Sequence, residues 1–176
     1  MITKWYKNLL MWALQAGVSN GYTLVKTSSG ATKYIGGSFS SSSFPYSTSK
    51  AVQINTLKSS GIHIGTGQTP ATEEDYFLES KITSGVQAGT VTTRGGVDEN
   101  GNPYIELSFM LSNATGADIV VREIGYVQGA ALANTIGGSS ANDNILLDRT
   151  VLSTPVTVPA GGEAVIRYTL KTVQSI

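Results

Sequence analysis

Cysteine is absent from the 176-residue chain, which excludes disulfides and thiolate metal sites and leaves stability to packing or to contacts between subunits. Histidine occurs once, as His63. A single imidazole without a clustered carboxylate set makes no metal site, and strand alternation accounts for its position, so neither metal nor cofactor is expected. Charge is sparse, at 14 % of residues where soluble domains carry roughly 25 %. Neither sign is in excess: 12 basic and 12 acidic residues give a formal net charge of zero. Phosphate neutralisation supplies most of a nucleic-acid binder's affinity, so this balance argues against direct nucleic-acid binding. Near-zero charge also removes the self-repulsion that keeps proteins apart, which suits a subunit built to assemble. Long apolar runs are missing too. LLMWAL at 9–14 falls far short of the ~20 residues that cross a bilayer, and no membrane partner is expected.

What the chain has instead is glycine, 20 residues of it, together with Ser, Thr and Asn. That composition suits short strands and tight turns rather than a helical enzyme. The last third, Asp118 to Val173, carries the clearest pattern. In AVIRYTLKTV, Val165, Arg167, Thr169 and Lys171 fall on one side and Ile166, Tyr168, Leu170 and Thr172 on the other, the period-2 signature of a half-buried strand. PVTVPAGG before it reads as a strand ended by Pro159 and turned by glycines, so a hairpin with the last strand is expected. The fold expected is mainly β, an antiparallel β-sandwich of jelly-roll or Ig-like type with a short N-terminal α-helix and an extended arm. Residues 1–49 would form the helix and Ser/Gly-rich arm, and 50–176 the sandwich domain.

The helix is expected over Thr3–Ala16, where Ile2, Trp5, Leu9, Trp12, Ala13 and Ala16 share a stripe and Thr3 and Gly17 supply caps. A signal peptide would also place Lys4 and Lys7 ahead of an apolar run, but LLMWAL is short for one. The stripe can pack on the chain's own sheet or dock into a neighbouring subunit, and the sequence leaves both open. SFSSSSFPYSTS follows as an arm anchored at Phe39, Phe44 and Tyr46. Trp5, Leu9, Trp12, Phe39, Phe44 and Tyr46 are thus the candidate assembly anchors, because aromatic side chains bury large areas at low entropy cost.

Two motifs invite a chemical reading and do not sustain it. GTGQTP at 65–70 lacks the Lys-Ser/Thr ending of a phosphate loop, and Pro70 stands where GxGxxG needs glycine. It serves instead as a turn into TPATEEDYFLES, where Thr69 as cap, Pro70 and the acids at 73–75 predict a helix start with a solvated acidic face. Asp98, Glu99, Asn100 and Asn102 have the wrong order for a calcium loop, whereas Asn100-Gly101 signals a type I′ hairpin. No serine sits in a nucleophile elbow, and His63 is the one available base, so no catalysis is expected.

The phrases GTGQTPATEEDYFLES, NATGADIVVREIGY and LLDRTVLSTPVTVPAGGEAVIRYTL, with a weaker echo in KWYKNLL, resemble a group of tailed-bacteriophage virion structural proteins. The likeness spans about residues 62–172 and rests on short phrases rather than a catalytic motif. It implies a β-sandwich subunit of the virion, assembled in the host cytoplasm as a homo-oligomer and with other phage virion proteins. Tail, collar, fibre and head decoration all stay open. Within those phrases Glu123 and Arg149 each sit among apolar neighbours, and we expect them to pair across two strands or a subunit boundary. The alternative function is a glycan- or receptor-binding β-sandwich module, with Tyr22, Tyr34, Tyr46 and Tyr104 as sugar platforms.

Overall fold

The computed structural model describes residues 1–5, 7, 23–35, 61–90, 92–135 and 140–171. Its strands are β1 (Thr23–Lys26), β2 (Thr32–Ile35), β3 (Gly61–Gly65), β4 (Val86–Ala88), β5 (Thr92–Val97), β6 (Pro103–Asn113), β7 (Ile119–Ala133), β8 (Ser140–Val158) and β9 (Glu163–Lys171). They form two antiparallel sheets built on one plan. In the first, β7 pairs with β8 on one side and, end to end on the other, with β3 and the β1–β2 hairpin. In the second, β6 pairs with β9 on one side and with β4 and β5 on the other.

Alternation decides which face each strand buries. On β6, Leu107, Phe109 and Leu111 face inward, opposite Tyr168, Ile166 and Ala164 of β9. They meet Ile62, Ile64, Val121, Ile124 and Val158 of the first sheet in one cluster. Two facing antiparallel sheets with a shared core are consistent with the expected sandwich. A second cluster joins Trp5 to Val25, Leu132, Ile145 and Leu147, and a third joins Leu78 to Val127 and Leu146. A buried hydrogen bond ties the sheets: the Tyr168 hydroxyl donates to Asp148 on β8. Burial first, then the charge of Asp148 and this bond, push the Tyr168 hydroxyl far above its ordinary pKa.

The expected β8–β9 hairpin is not formed, because the two strands belong to different sheets. The turn at 159–162 crosses from one sheet to the other, and so does the 114–118 turn between β6 and β7. Alternation marks a strand but does not say which partner it takes. Buried Asn113 stitches the two corners: its side-chain amide donates to the carbonyls of Ala117 at 2.8 Å and Val158 at 3.0 Å, and its Oδ1 accepts from the Thr115 amide. The β5–β6 turn also differs in type from the expected two-residue turn. Asp98 N–H donates to Asn102 O, Gly101 N–H donates to Asp98 O, and Gly101 sits at φ 81°, the three-residue loop that closes on a left-handed residue.

Of the expected N-terminal helix, the described residues contain one turn, where Lys7 N–H donates to Thr3 O at 3.3 Å. Its continuation with Leu9 and Trp12, and the arm anchors Phe39, Phe44 and Tyr46, lie outside the described residues. The β1–β2 hairpin falls within the segment assigned to the arm and joins the first sheet through Tyr34 opposite Ala133. Nor is TPATEEDYFLES a helix. Residues 66–80 run as an irregular loop over the face of the first sheet that points away from the shared core.

Candidate functional site

The site begins with an irregularity in β7. The pairing of β7 with β8 slips between Val121 and Glu123, so that Val121 and Ile124 both reach the core while Glu123 turns to the opposite face. The extra residues of β8 fall at Leu152–Pro155, where proline has no N–H to lose. Gly125 of β7 lies opposite Arg149 of β8, which places Arg149 on the same face as Glu123.

Glu123 is wholly buried and Arg149 is 3 % exposed. The Arg149 Nε donates to Glu123 Oε2 at 2.8 Å, bringing together the two residues expected to pair. Its remaining nitrogens reach the overlying loop: Nη1 donates to Asp75 Oδ2 at 2.8 Å, and Nη2 to the Thr69 carbonyl at 3.1 Å, with Glu79 Oε2 at 3.5 Å. Glu123 accepts three backbone N–H bonds from the same loop, from Gly67 at 3.2 Å, Glu79 at 3.1 Å and Ser80 at 2.7 Å. Glu79 in turn accepts from the amides of Gln68 and Thr69 and from the Thr69 hydroxyl. Two opposite charges on the sheet therefore clasp both ends of one loop.

The glycines of GTG have a steric reason here. A Cβ on Gly65 would lie 2.4 Å from Glu123 Oε1 and 2.5 Å from the Ser80 carbonyl. On Gly67 it would lie 2.6 Å from Glu123 Oε1. The loop can approach the carboxylate closely enough to donate its amides only because these positions carry no side chain.

The electrostatics follow the geometry. Burial opposes the Arg149 charge, but hydrogen bonds to Asp75 and Glu123 and their negative charges outweigh it and raise its pKa. Burial likewise works against ionised Asp75; the Arg149 hydrogen bond, those from Thr72 and the Arg149 charge prevail and lower its pKa. Glu79 is lowered chiefly by the Thr69 and Gln68 hydrogen bonds. Close by, His63 is 6 % exposed on β3, with its Nε2 3.4 Å from Lys81 Nζ, whose pKa burial lowers.

Sequence reasoning missed Asp75, which it placed on a solvated helix face, and gave Glu79 no role in the loop; Glu73 and Glu74 do lie exposed, each ion-paired to an N-terminal lysine. The signal was available in GTG, which forbids side chains beneath a loop that carries acids at 73–75 and 79. Tyr34 lies on the first sheet and Tyr104 on the second, while Tyr22 and Tyr46 lie outside the described residues. Among the described residues no group of three or more His, Cys, Asp or Glu is arranged to hold a metal ion. Comparison with known proteins found no matching family model, no matching curated protein and no matching solved structure.

Replacing Arg149 by Ala leaves buried Glu123 without its counter-charge and should cost about 3–5 kcal/mol in denaturant unfolding. An isolated buried pair would recover stability when both partners become apolar. Here Glu123→Leu with Arg149→Met should stay destabilised, because the amides of Gly67, Glu79 and Ser80 then lose their acceptor. Recovery of wild-type stability in the double variant would contradict the clasp.

Acid should loosen it as well. Asp75 and Glu79 are both lowered in the fold from ordinary values of 3.8 and 4.5. Their contribution is complete above those values and is lost as pH falls through the lower, folded ones. Unfolding midpoints should therefore be level from pH 7 to about 5 and fall below about pH 4, with a smaller fall in Asp75→Asn. An equal acid sensitivity in that variant would remove Asp75 from the account.

Proposed function

We propose that the chain is a non-enzymatic virion structural protein of a tailed bacteriophage, a tail, collar, fibre or capsid-decoration component that works in the virion by assembling with like and neighbouring subunits. The phrases that resemble phage virion proteins are the ones that meet in the clasp: GTG and its loop, the Glu123 strand and the Arg149 strand. Glu123, the most buried acid, already accepts four hydrogen bonds, so its oxygens serve to hold a loop rather than to move a proton.

The observation that carries the reading is on the β5–β6 hairpin. Ile105 lies on the same face as buried Leu107, Phe109 and Leu111, yet it is 50 % exposed. Val97, opposite Pro103 and in phase with Ile105, is 65 % exposed. The core-facing side of the second sheet thus runs on past its cover as an apolar ledge, beside the edge of β5 that none of the described strands pairs. A ledge of that kind is suited to burial against another subunit, as are the near-zero net charge and the sparse surface charge.

Replacing both Val97 and Ile105 by Asp should shift full-length protein to smaller assemblies by light scattering, with at least a tenfold weaker association constant, corresponding to about 1.4 kcal/mol. Both side chains are exposed, so unfolding free energy should change by no more than about 0.5 kcal/mol. An unmodified chain that remains monomeric and instead retains a sugar on a glycan array would overturn this reading in favour of glycan binding.

A further inference from the structure

Residues 1–5 and Lys7 occupy a site that could equally be filled from another copy. Ile2 pairs antiparallel with Asp148 on the edge of β8 that β7 leaves open. Arg149 N–H donates to the Met1 carbonyl at 3.1 Å, and Thr3 N–H donates to the Leu147 carbonyl at 3.0 Å. The buried Thr3 hydroxyl adds a bond to the Leu146 carbonyl at 2.7 Å. Trp5 then fills the second apolar cluster, at 8 % exposed. Finally Lys4 pairs with Glu74, and Lys7 with Glu73 at 2.5 Å, both acids on the loop that the clasp holds. The partners are a strand edge, an apolar socket and two acids: one bridge at Ile2 seats the chain on the sheet edge, and the helical turn after it delivers Trp5 and the two lysines.

All of the hydrogen-bond and ion-pair partners named here lie at least 66 positions away in the chain, on β8 or the 66–80 loop. Between Lys7 and β1 stand residues 8–22. Fifteen residues can span at most about 50 Å, whereas a folded chain of this length has a radius of gyration of about 16 Å. The tether is therefore long enough to deliver the segment to the same site on an adjacent copy.

We propose that the N-terminal segment is exchanged: in the assembled state the bridge at Ile2 and the helical turn that follows it dock on β8, the Trp5 socket and Glu73/Glu74 of a neighbouring copy of this chain. The inference rests on the reading of the chain as an assembling subunit and supplies that assembly with a specific joint. Exchange costs little in contacts, because each one made within a chain is remade between chains. The clasp then has a second role, since it holds Glu73 and Glu74 in place for the incoming lysines.

Charge reversal separates the two modes. One full-length variant carries Lys4→Glu and Lys7→Glu, and the other carries Glu73→Lys and Glu74→Lys. All four side chains are exposed enough for the fold to tolerate reversal. Alone, each variant sets like charges together whether the segment docks within its own chain or on a copy of itself. Mixed, an exchanged pair restores opposite charges at both joints, while docking within the chain restores none. With one variant affinity-tagged, native mass spectrometry and light scattering should find at least a tenfold excess of mixed over like complexes, and larger particles in the mixture than in either component.

If the mixture equals the sum of its components while the unmodified protein is oligomeric, exchange is wrong and the assembly reading survives. An unmodified protein that is monomeric at every concentration defeats both.

Discussion

Burying a guanidinium is unfavourable unless its charge and its N–H groups are answered, and Arg149 is answered from two directions at once. Glu123 meets it from the adjacent strand of the same sheet, while Asp75 and the Thr69 carbonyl meet it from a loop crossing above. The arrangement is more constrained than a simple ion pair, because Glu123 also receives three amides from that loop. Neither charge can be neutral without leaving a buried group unsatisfied. Loop, β3, β7 and β8 are consequently fixed relative to one another by the same few atoms, and Leu78 and Tyr76 of the loop are set down on the apolar clusters of the first sheet.

The rest of the molecule can be understood from that constraint outward. The slip in β7 turns Glu123 away from the shared core, leaving that core apolar, and the buried Tyr168–Asp148 bond ties the sheets. Two corners on either side of Asn113 carry the chain between sheets, which lets the long β7 and β6 each lie at the centre of its own sheet. The loop held by the clasp presents Glu73 and Glu74 to the N-terminal lysines, connecting the buried charges to the one exposed feature that we infer to pass between subunits.

Much of this was legible in the sequence, and the failures have particular causes. Strict alternation in AVIRYTLKTV placed Ile166 and Tyr168 on one face of a half-buried strand, and that face is the one the core takes. Glu123 and Arg149 stood out because a charge among β-branched and aliphatic neighbours needs a partner. The separation of β8 and β9 into different sheets was not legible, since a turn rich in Pro and Gly closes a hairpin and rounds a corner with similar residues. TPATEEDYFLES failed differently. Its capping signals are local, whereas Asp75 and Glu79 are drawn to an arginine about 70 residues away, and tertiary hydrogen bonds prevailed over helix propensity.

Native-state hydrogen exchange at the amides of Gly67, Glu79 and Ser80, the three that donate to Glu123, tests the clasp most directly. If the clasp holds the loop to the sheet, these amides should exchange as slowly as those of β7, at the free energy of global unfolding, although they lie outside any strand. Exchange through a local opening, several kcal/mol below the global value, would show that the loop detaches while the sheets remain intact, and the central claim would fail.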